Sequence, residues 1–191
     1  MGNWQTISRE RVYQNPWIEV LHHEVINPSG NRGIYGVVHF RHRAIGILAL
    51  DAWQRILLVG QYRFPLDAYS WEIPEGGCPL AEDNLEAARR ELREETGMEA
   101  ASWEPICRYH LTNSVADEEG QLFLATGLTP GPPQPEETEE LSHQRVSIDE
   151  ALQLVESGGI TDAISIIAIY KAALLRAEGK LPPISPEIRA G

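Results

Sequence analysis

The pattern of apolar and polar positions begins with short alternating segments. Segments rich in Val, Ile and Trp lie at 9–14 and 17–27, and GIYGVVHFR (33–41) follows the turn signal Asn27-Pro28-Ser29-Gly30. β-Branched and aromatic residues between turn residues favour antiparallel strands. We therefore expect a small N-terminal β segment over residues 1–42.

Two nearly continuous apolar runs come next, AIGILAL (44–50) and RILLVGQY (55–62). Runs of strand length without alternation are typical of central strands that are covered on both faces. They predict a sheet with helices packed on either side.

Residues 83–96 change to a helical period, with Leu85, Ala88 and Leu92 on one side. Asp83 and Glu86 resemble the start of a capping box, and Gly97 stands where a left-handed cap ends a helix. This segment is the first predicted helix.

The second half alternates strands and helices around one long loop. We expect strands at 103–110, 121–126 and 143–147, a surface loop in TGLTPGPPQPEETEEL (126–141), a helix that begins with a Ser147–Glu150 capping box and ends at Gly158-Gly159, and a helix over 162–179 capped by Thr161. The tail 181–191 is broken by prolines, which predicts a loose end.

The length of 191 residues suits one compact unit, which we divide into the β segment 1–42, a main domain 43–180 and the tail 181–191. This order of elements predicts an α/β (α+β) fold. The formal net charge of −12 disfavours nucleic acid and anionic membranes as partners. No apolar stretch has the length of a signal peptide core or a membrane span, and two cysteines are too few for a disulfide framework, so we expect a cytoplasmic protein.

Three carboxylates cluster on the first predicted helix. Glu91, Glu94 and Glu95 are spaced i, i+3 and i+4, which places them on one face within a single turn. Such a cluster is either a solvated helix face or a site for a hard cation, and the spacing alone favours the solvated face.

The surroundings of that helix change this reading. Gly76, Glu82 and the run Arg90-Glu91-Leu92-Arg93-Glu94-Glu95-Thr96-Gly97-Met98 resemble the Nudix box at each of its defined positions. The resemblance implies a mixed β-sheet sandwiched between helices and hydrolysis of a pyrophosphate bond with Mg²⁺, for which Mn²⁺ is a substitute. It also implies metal ligation by Glu91 and Glu95, by Glu94 for an additional ion, and by the carbonyl of Glu75. Arg90 is implied as an orienting residue, with Glu82 and Gly97 as architectural ones.

Flanking segments are similar to ADP-ribose and ADP-sugar pyrophosphatases, in QYRFPLDAYSWEIPEGG (61–77) and in the C-terminal half. That similarity implies a homodimer assisted by the N-terminal β segment, and a nucleoside diphosphate sugar as substrate. It implies the following site residues: Glu137 as catalytic base with Glu139 as its rival and a substrate-side group, Glu94 as a further catalytic carboxylate, Arg63 on the phosphates, Glu118 near the terminal ribose or its metal, and Trp71 along the site.

One departure bears on the substrate. Asn113 and Ser114 stand where ADP-ribose pyrophosphatases commonly carry a Ser-Pro-Gly stretch. GDP-mannose or another nucleotide sugar is therefore an alternative. Two alternatives are more distant. An ADP-ribose sensor without turnover is disfavoured because the box keeps its carboxylates and no basic extension is present. A nucleoside triphosphate or RNA cap hydrolase is disfavoured because triphosphate hydrolases of this kind are typically shorter and lack the N-terminal β segment.

Overall fold

The first forty residues form a separate antiparallel sheet. In the computed structural model, which describes residues 3–131 and 141–184, strands β1 (Gln5–Gln14), β2 (Ile18–Ile26) and β3 (Arg32–Phe40) pair in that order. The turn between β2 and β3 is held by Asn27, whose Oδ1 accepts hydrogen bonds from the N–H groups of Ser29 and Asn31. The predicted N-terminal antiparallel segment is confirmed.

A second, seven-stranded sheet forms the centre of the protein. Its strands are β4 (His42–Leu50), β5 (Ile56–Arg63), β6 (Ala68–Glu72), β7 (Glu75–Pro79), β8 (Met98–His110), β9 (Glu119–Pro130) and β10 (Ser142–Val146). The main path runs β10-β5-β4-β9-β8, with β6 beside β5 and β7 beside β4. Because β4 and β9 run parallel while the other pairs are antiparallel, the sheet is mixed, as expected.

In the described parts of the chain, three α-helices cover the two faces of this sheet: α1 (Asn84–Thr96), α2 (Ile148–Glu156) and α3 (Ala163–Ala177). Successive residues of a strand point to opposite faces. Accordingly Leu48 and Leu50 pack with residues of α2 and α3 on one face. On the other face, Ile45, Ile47 and Ala49 pack with α1. The apolar runs are therefore buried on both sides, and the sandwich of helices around a sheet is confirmed.

The ends of α1 follow the expected signals in part. Asp83 caps the helix by accepting hydrogen bonds from the N–H groups of Leu85 and Glu86, and Gly97 ends it at φ 64°. The reciprocal half of the capping box is missing, because the Glu86 carboxylate binds Arg89 instead.

The two later helices give one confirmed and one wrong prediction. The Ser147–Glu150 capping box is complete. Thr161 was expected to cap α3, but Asp162 does so, accepting a hydrogen bond of 2.7 Å from the N–H of Ser165. Both side chains can cap a helix, and packing on the sheet decides which of them stands at the first turn.

Strand content near the box exceeds the prediction. The two glycines of EIPEGG favour a loop, yet residues from Glu75 onward form β7 against β4. Likewise, residues 126–130 of the expected loop continue β9, where they pair with β8. Among the described residues, no helix has the length and apolar character that a membrane crossing requires.

Candidate active site

Helix α1 presents its carboxylates to the first residues of β7. The Glu91 carboxylate lies against Gly76, so closely that a Cβ atom on Gly76 would stand 2.2 Å from the Glu91 Cδ atom. One turn later, Glu95 Oε2 accepts a hydrogen bond of 3.0 Å from the N–H of Glu75. The i, i+4 spacing therefore brings both carboxylates to the same short strand.

Arg90 binds the acidic residues together. Its Nη1 atom donates to Glu91 Oε1 at 2.8 Å and to Glu94 Oε2 at 2.9 Å, and its Nη2 atom donates to the Gly77 carbonyl at 3.0 Å. Glu82 holds the remaining edge of the guanidinium, at 3.3 Å from Nε and 3.1 Å from Nη2. The hydrogen bonds with Glu82 are the main cause that raises the pKa of Arg90.

A second cationic group, Arg63, stands at the end of β5. Its Nε atom lies 3.0 Å from Glu72 Oε1, its Nη2 atom also binds Glu72, and Nη2 lies 3.3 Å from Glu75 Oε1. Glu72 is 4% exposed, so this ion pair is largely shielded from water. The guanidinium is thereby fixed at the mouth of the site.

Glu72 and Glu75 form a close group with Asp162, the residue that caps α3. One carboxylate oxygen from each lies within 4.8 Å of the other two. Burial, together with the charges of Asp162 and Glu72, raises the pKa of Glu75 well above its ordinary value. The Oε2 atom of Glu75 is buried and has no hydrogen-bond partner among the described residues.

These groups border a cleft of about 630 Å³ between the N-terminal sheet and the main domain. Its polar lining includes Arg63, Glu75, Arg90, Glu118 and Asp162, and its apolar lining includes Trp17, Phe40, Leu111 and Ile164. Burial raises the pKa of Glu118, and the nearby charge of Asp117 adds to that effect. A cleft of this size accommodates a nucleotide-sized ligand.

The carboxylates beside the cleft fit a divalent cation. Carboxylate oxygens are the ligands that Mg²⁺ and Mn²⁺ prefer, and Glu91, Glu94 and Glu95 supply them from one helix face. Gly76 keeps the space beside Glu91 open, since any side chain there would displace the carboxylate. Glu75 Oε2 is buried without a hydrogen-bond partner among the described residues, and a bound cation would supply that partner.

Most of the site residues predicted from the sequence converge here. Hydrogen bonds join Glu75 to Arg63 and to Glu95. Arg90 joins Glu91 to Glu94 on the same helix, and Glu118 lines the cleft. Trp71, on β6, is not among the described residues that line the cleft. Its ring covers Gly60 and meets the Tyr69 ring edge to face, with 5.7 Å between the ring centroids. Glu137 and Glu139 lie outside the described residues.

Two residues of the site were not predicted. Glu72 was passed over within the segment before the box, and Asp162 was counted as the first residue of a helix. The signal for Glu72 is its place between Trp71 and Ile73, because a carboxylate between large apolar residues requires a partner once it is buried. Asp162 carries no such signal in the sequence, because a helix cap alone accounts for an aspartate at that position.

Known proteins resemble the chain over nearly its whole length. A family model described as NUDIX domain matches residues 40–163, and one described as nucleoside diphosphate sugar hydrolase N-terminal domain matches residues 4–38. The ADP-ribose pyrophosphatase of Bacillus subtilis (strain 168) is 32% identical over 176 residues, which cover 91% of this chain and 94% of that protein. The methanol dehydrogenase activator of Bacillus methanolicus is 31% identical with the same coverage.

A solved structure shows the likeness of the fold. The crystal structure of an ADP compounds hydrolase superposes with a TM-score of 0.85, covering 95% of this chain and 98% of the other, at 20% sequence identity. The match includes both the N-terminal sheet and the mixed sheet with its helices, since so little of either chain is left out.

Proposed function

The chain belongs to the NUDIX family of hydrolases, and from that membership we propose that it cleaves the pyrophosphate bond of a nucleoside diphosphate sugar, with ADP-ribose or an ADP-sugar as the leading substrate. The products would be a nucleoside monophosphate and a sugar phosphate. The enzyme is a divalent-metal-dependent pyrophosphohydrolase; Mg²⁺, with Mn²⁺ as a substitute, is the metal we propose.

One observation carries the proposal, namely the carboxylate face of α1 held by Arg90 beside the cleft. Glu91 and Glu94 share the Nη1 atom of Arg90, and Glu95 is fixed by the N–H of Glu75. A solvated helix face does not require such an arrangement, since its carboxylates would extend into water. The network instead preorganises hard oxygen ligands at the place where a pyrophosphate would lie.

Within this site Glu91, Glu95 and Glu94 would hold the cation, together with the main-chain carbonyl of Glu75. When bound, a divalent cation neutralises phosphate oxygens and lowers the pKa of a water molecule that it carries. The protein supplies the other contributions. Arg63 is fixed through Nε and Nη2, and Nη1, which makes no hydrogen bond with a described residue, is available to a phosphate oxygen.

A carboxylate outside α1 would accept the proton from the attacking water. We assign this role to Glu137, with Glu139 as the rival, because the acidic segment that holds both ends at β10, whose residue His143 contacts α1. Glu118 would contact the terminal sugar, since it lines the cleft and its pKa is raised by burial.

The turn that holds Asn113 and Ser114 bears on the identity of the substrate. Asn113 and Ser114 lie in the turn that packs on β3, where the Ser114 carbonyl accepts a hydrogen bond from the Tyr35 hydroxyl. This turn precedes Glu118, so it lies beside the proposed sugar contact. A GDP-mannose type of nucleotide sugar is the second candidate on that account, because the difference from ADP-ribose pyrophosphatases falls at the sugar end of the cleft.

The N-terminal sheet supports a homodimer. It exposes large apolar side chains, among them Val12 at 57% and Ile34 at 72%, and β1 is exposed along its whole length. Exposed apolar surface of this kind is typical of protein interfaces. Both cysteines are free, which supports a location in the reducing cytoplasm.

A substrate panel tests the function. ADP-ribose, ADP-glucose, GDP-mannose, NADH, diadenosine polyphosphates and nucleoside triphosphates are incubated with Mg²⁺ and separately with Mn²⁺, and the products are identified by chromatography. We expect the highest kcat/KM for a nucleoside diphosphate sugar, with a nucleoside monophosphate among the products. Absence of turnover on the whole panel would exclude the proposal.

A further inference from the structure

We propose that Arg43, which lies outside the box, is a positioning residue for the metal-binding carboxylates. It would act by fixing the turn that carries Glu82. The proposal rests on the proposed function for its catalytic meaning, but its structural part can be tested without a substrate.

Arg43 contacts the turn that leads from β7 to α1. Arg43 lies on β4 opposite Cys78 of β7. Its Nη2 atom donates to the Glu82 carbonyl at 2.5 Å and lies 3.4 Å from the Pro79 carbonyl and 3.3 Å from Cys78 Sγ. The N–H of Glu82 in turn donates to the Pro79 carbonyl at 2.9 Å. One guanidinium group therefore holds both ends of this turn.

Arg90 links this turn to the carboxylates of α1. The Glu82 side chain receives the Nε and Nη2 donors of Arg90, and Arg90 Nη1 reaches Glu91 and Glu94. Moving the Glu82 main chain would tilt the Arg90 guanidinium, because a planar donor group keeps its five N–H directions in a fixed relation. Glu91 and Glu94 would then lose the donor that sets their rotamers.

The surroundings of Arg43 argue against a role in simple ion pairing. No salt bridge joins Arg43 to a carboxylate within the part of the chain that the structure describes, and its Nε atom is buried without a partner there. A half-buried charge held only by carbonyl and sulfur groups is costly in free energy. An apolar residue would fill the same place at lower cost, so the guanidinium contributes something besides stability.

The test measures Mn²⁺ binding to the full-length protein by electron paramagnetic resonance, with steady-state kinetics as a second readout. We expect Arg43→Met to weaken Mn²⁺ binding about tenfold, the size typical of changes behind metal ligands. At saturating metal, kcat should fall while KM for the nucleotide stays within about twofold, because Arg63 and Glu118 are unchanged although Arg43 also borders the cleft. Arg43→Lys should recover part of the affinity, since an ammonium can still reach one carbonyl.

Arg55→Met is the matched control. Arg55 is also partly buried, but it binds Asp51 at 2.7 Å beyond the opposite end of β4. We expect it to lower the melting temperature without a change in Mn²⁺ affinity. Equal loss of affinity in both variants, or none in Arg43→Met, would overturn the proposal. If Arg43→Met does not fold, the Mn²⁺ affinity of Arg43→Lys is the test. A wild-type Mn²⁺ affinity in that variant would then overturn the proposal.

The order of contacts is tested by combining Arg43→Met with Glu82→Gln. Because both residues act on Arg90 through one path, the double variant should bind Mn²⁺ about as weakly as Glu82→Gln alone. Fold-changes that multiply would show independent effects and overturn the path. These measurements need no substrate, so they remain valid if the panel identifies a different reaction.

Discussion

Gly76 and Glu91 are in such close contact that the strand residue determines where the helix carboxylate can lie. A Cβ atom on Gly76 would stand 2.3 Å from Glu91 Oε2 and 2.5 Å from Oε1. Real Cβ atoms do not approach oxygen so closely, so an added methyl group would force Glu91 away. The glycine is required for this approach, and not for an unusual backbone angle, because its φ is not positive.

Gly76→Ala should therefore reduce metal affinity and kcat by at least about tenfold, because Glu91 would be displaced from the carboxylate face. Metal affinity is read from the Mn²⁺ dependence of activity. Gly36→Ala in β3 is the control, since no atom lies within 4 Å of the added methyl group. Similar kinetics in both variants would show that Glu91 can move without loss.

Glu95→Gln should lower kcat by about two orders of magnitude or more, because the amide is a poor ligand for a hard cation. The Glu75 N–H would still find an oxygen acceptor, so the fold should be retained. Glu86→Gln on the same helix is the control, since Glu86 pairs with Arg89 at the surface. Near-wild-type turnover of Glu95→Gln would mean that the carboxylates are a solvated face.

Glu137→Gln should lower kcat by about 10²–10⁴-fold, the range for loss of a general base, while Mn²⁺ affinity stays unchanged. Glu139→Gln and Glu118→Gln are assayed beside it over a range of pH. A large loss confined to Glu139→Gln or Glu118→Gln would assign the base to that residue instead.

Asp117→Asn should destabilise the protein in a pH-dependent way. Partial burial alone would favour the neutral acid, but hydrogen bonds from His39 and the Phe40 N–H outweigh it and lower the pKa of Asp117. A carboxylate with a lowered folded pKa stabilises the fold above its unfolded pKa of about 3.9, and this contribution is lost as the pH falls through the folded pKa.

Because Asp117 is about half exposed, the loss should be about 1 kcal/mol or less. That corresponds to a fall in melting temperature of about 2–4 °C at neutral pH. Calorimetry across the acid range should show the two proteins converging as the pH falls. A constant difference at every pH would contradict the assignment.

Oligomeric state is the fifth prediction. Light scattering should give twice the chain mass of 21.3 kDa, and Ile34→Asp should shift the mass toward that of one chain, since it places a charge in the apolar surface. Arg89→Asp on α1, outside the N-terminal sheet, is the control and should leave the mass unchanged. A wild-type protein with the mass of a single chain would exclude the dimer.

Local signals account for the parts of the site that could be predicted. Glu91, Glu94 and Glu95 were placed on one face because the helical period determines it, and Asp83 with Gly97 marked both ends of α1. The alternate faces of β4 were also readable, since Ile47 and Leu48 belong to an apolar run too long for a half-buried strand.

Contacts between distant segments account for the rest. Gly76 favoured a loop in the sequence, whereas β7 forms because β4 offers an unpaired edge to it. Asp162 joins Glu72 and Glu75 only after α3 packs on the sheet, and no spacing in the sequence expresses that proximity. Arg43 was overlooked for the same reason, because its partners are main-chain carbonyls in another strand and turn.

The parallel pairing of β4 with β9 has a consequence for the order in which the protein can mature on the ribosome. Ala44 pairs with Gly120, and Asp162 must still arrive to complete the acidic group with Glu72 and Glu75. A nascent chain that has emerged only as far as Met98 contains every residue of the box but lacks β9 and α3. Such non-local pairing forms late in folding. Catalytic competence should therefore be acquired in one step near the end of synthesis, and arrested chains that end before residue 120 should be inactive.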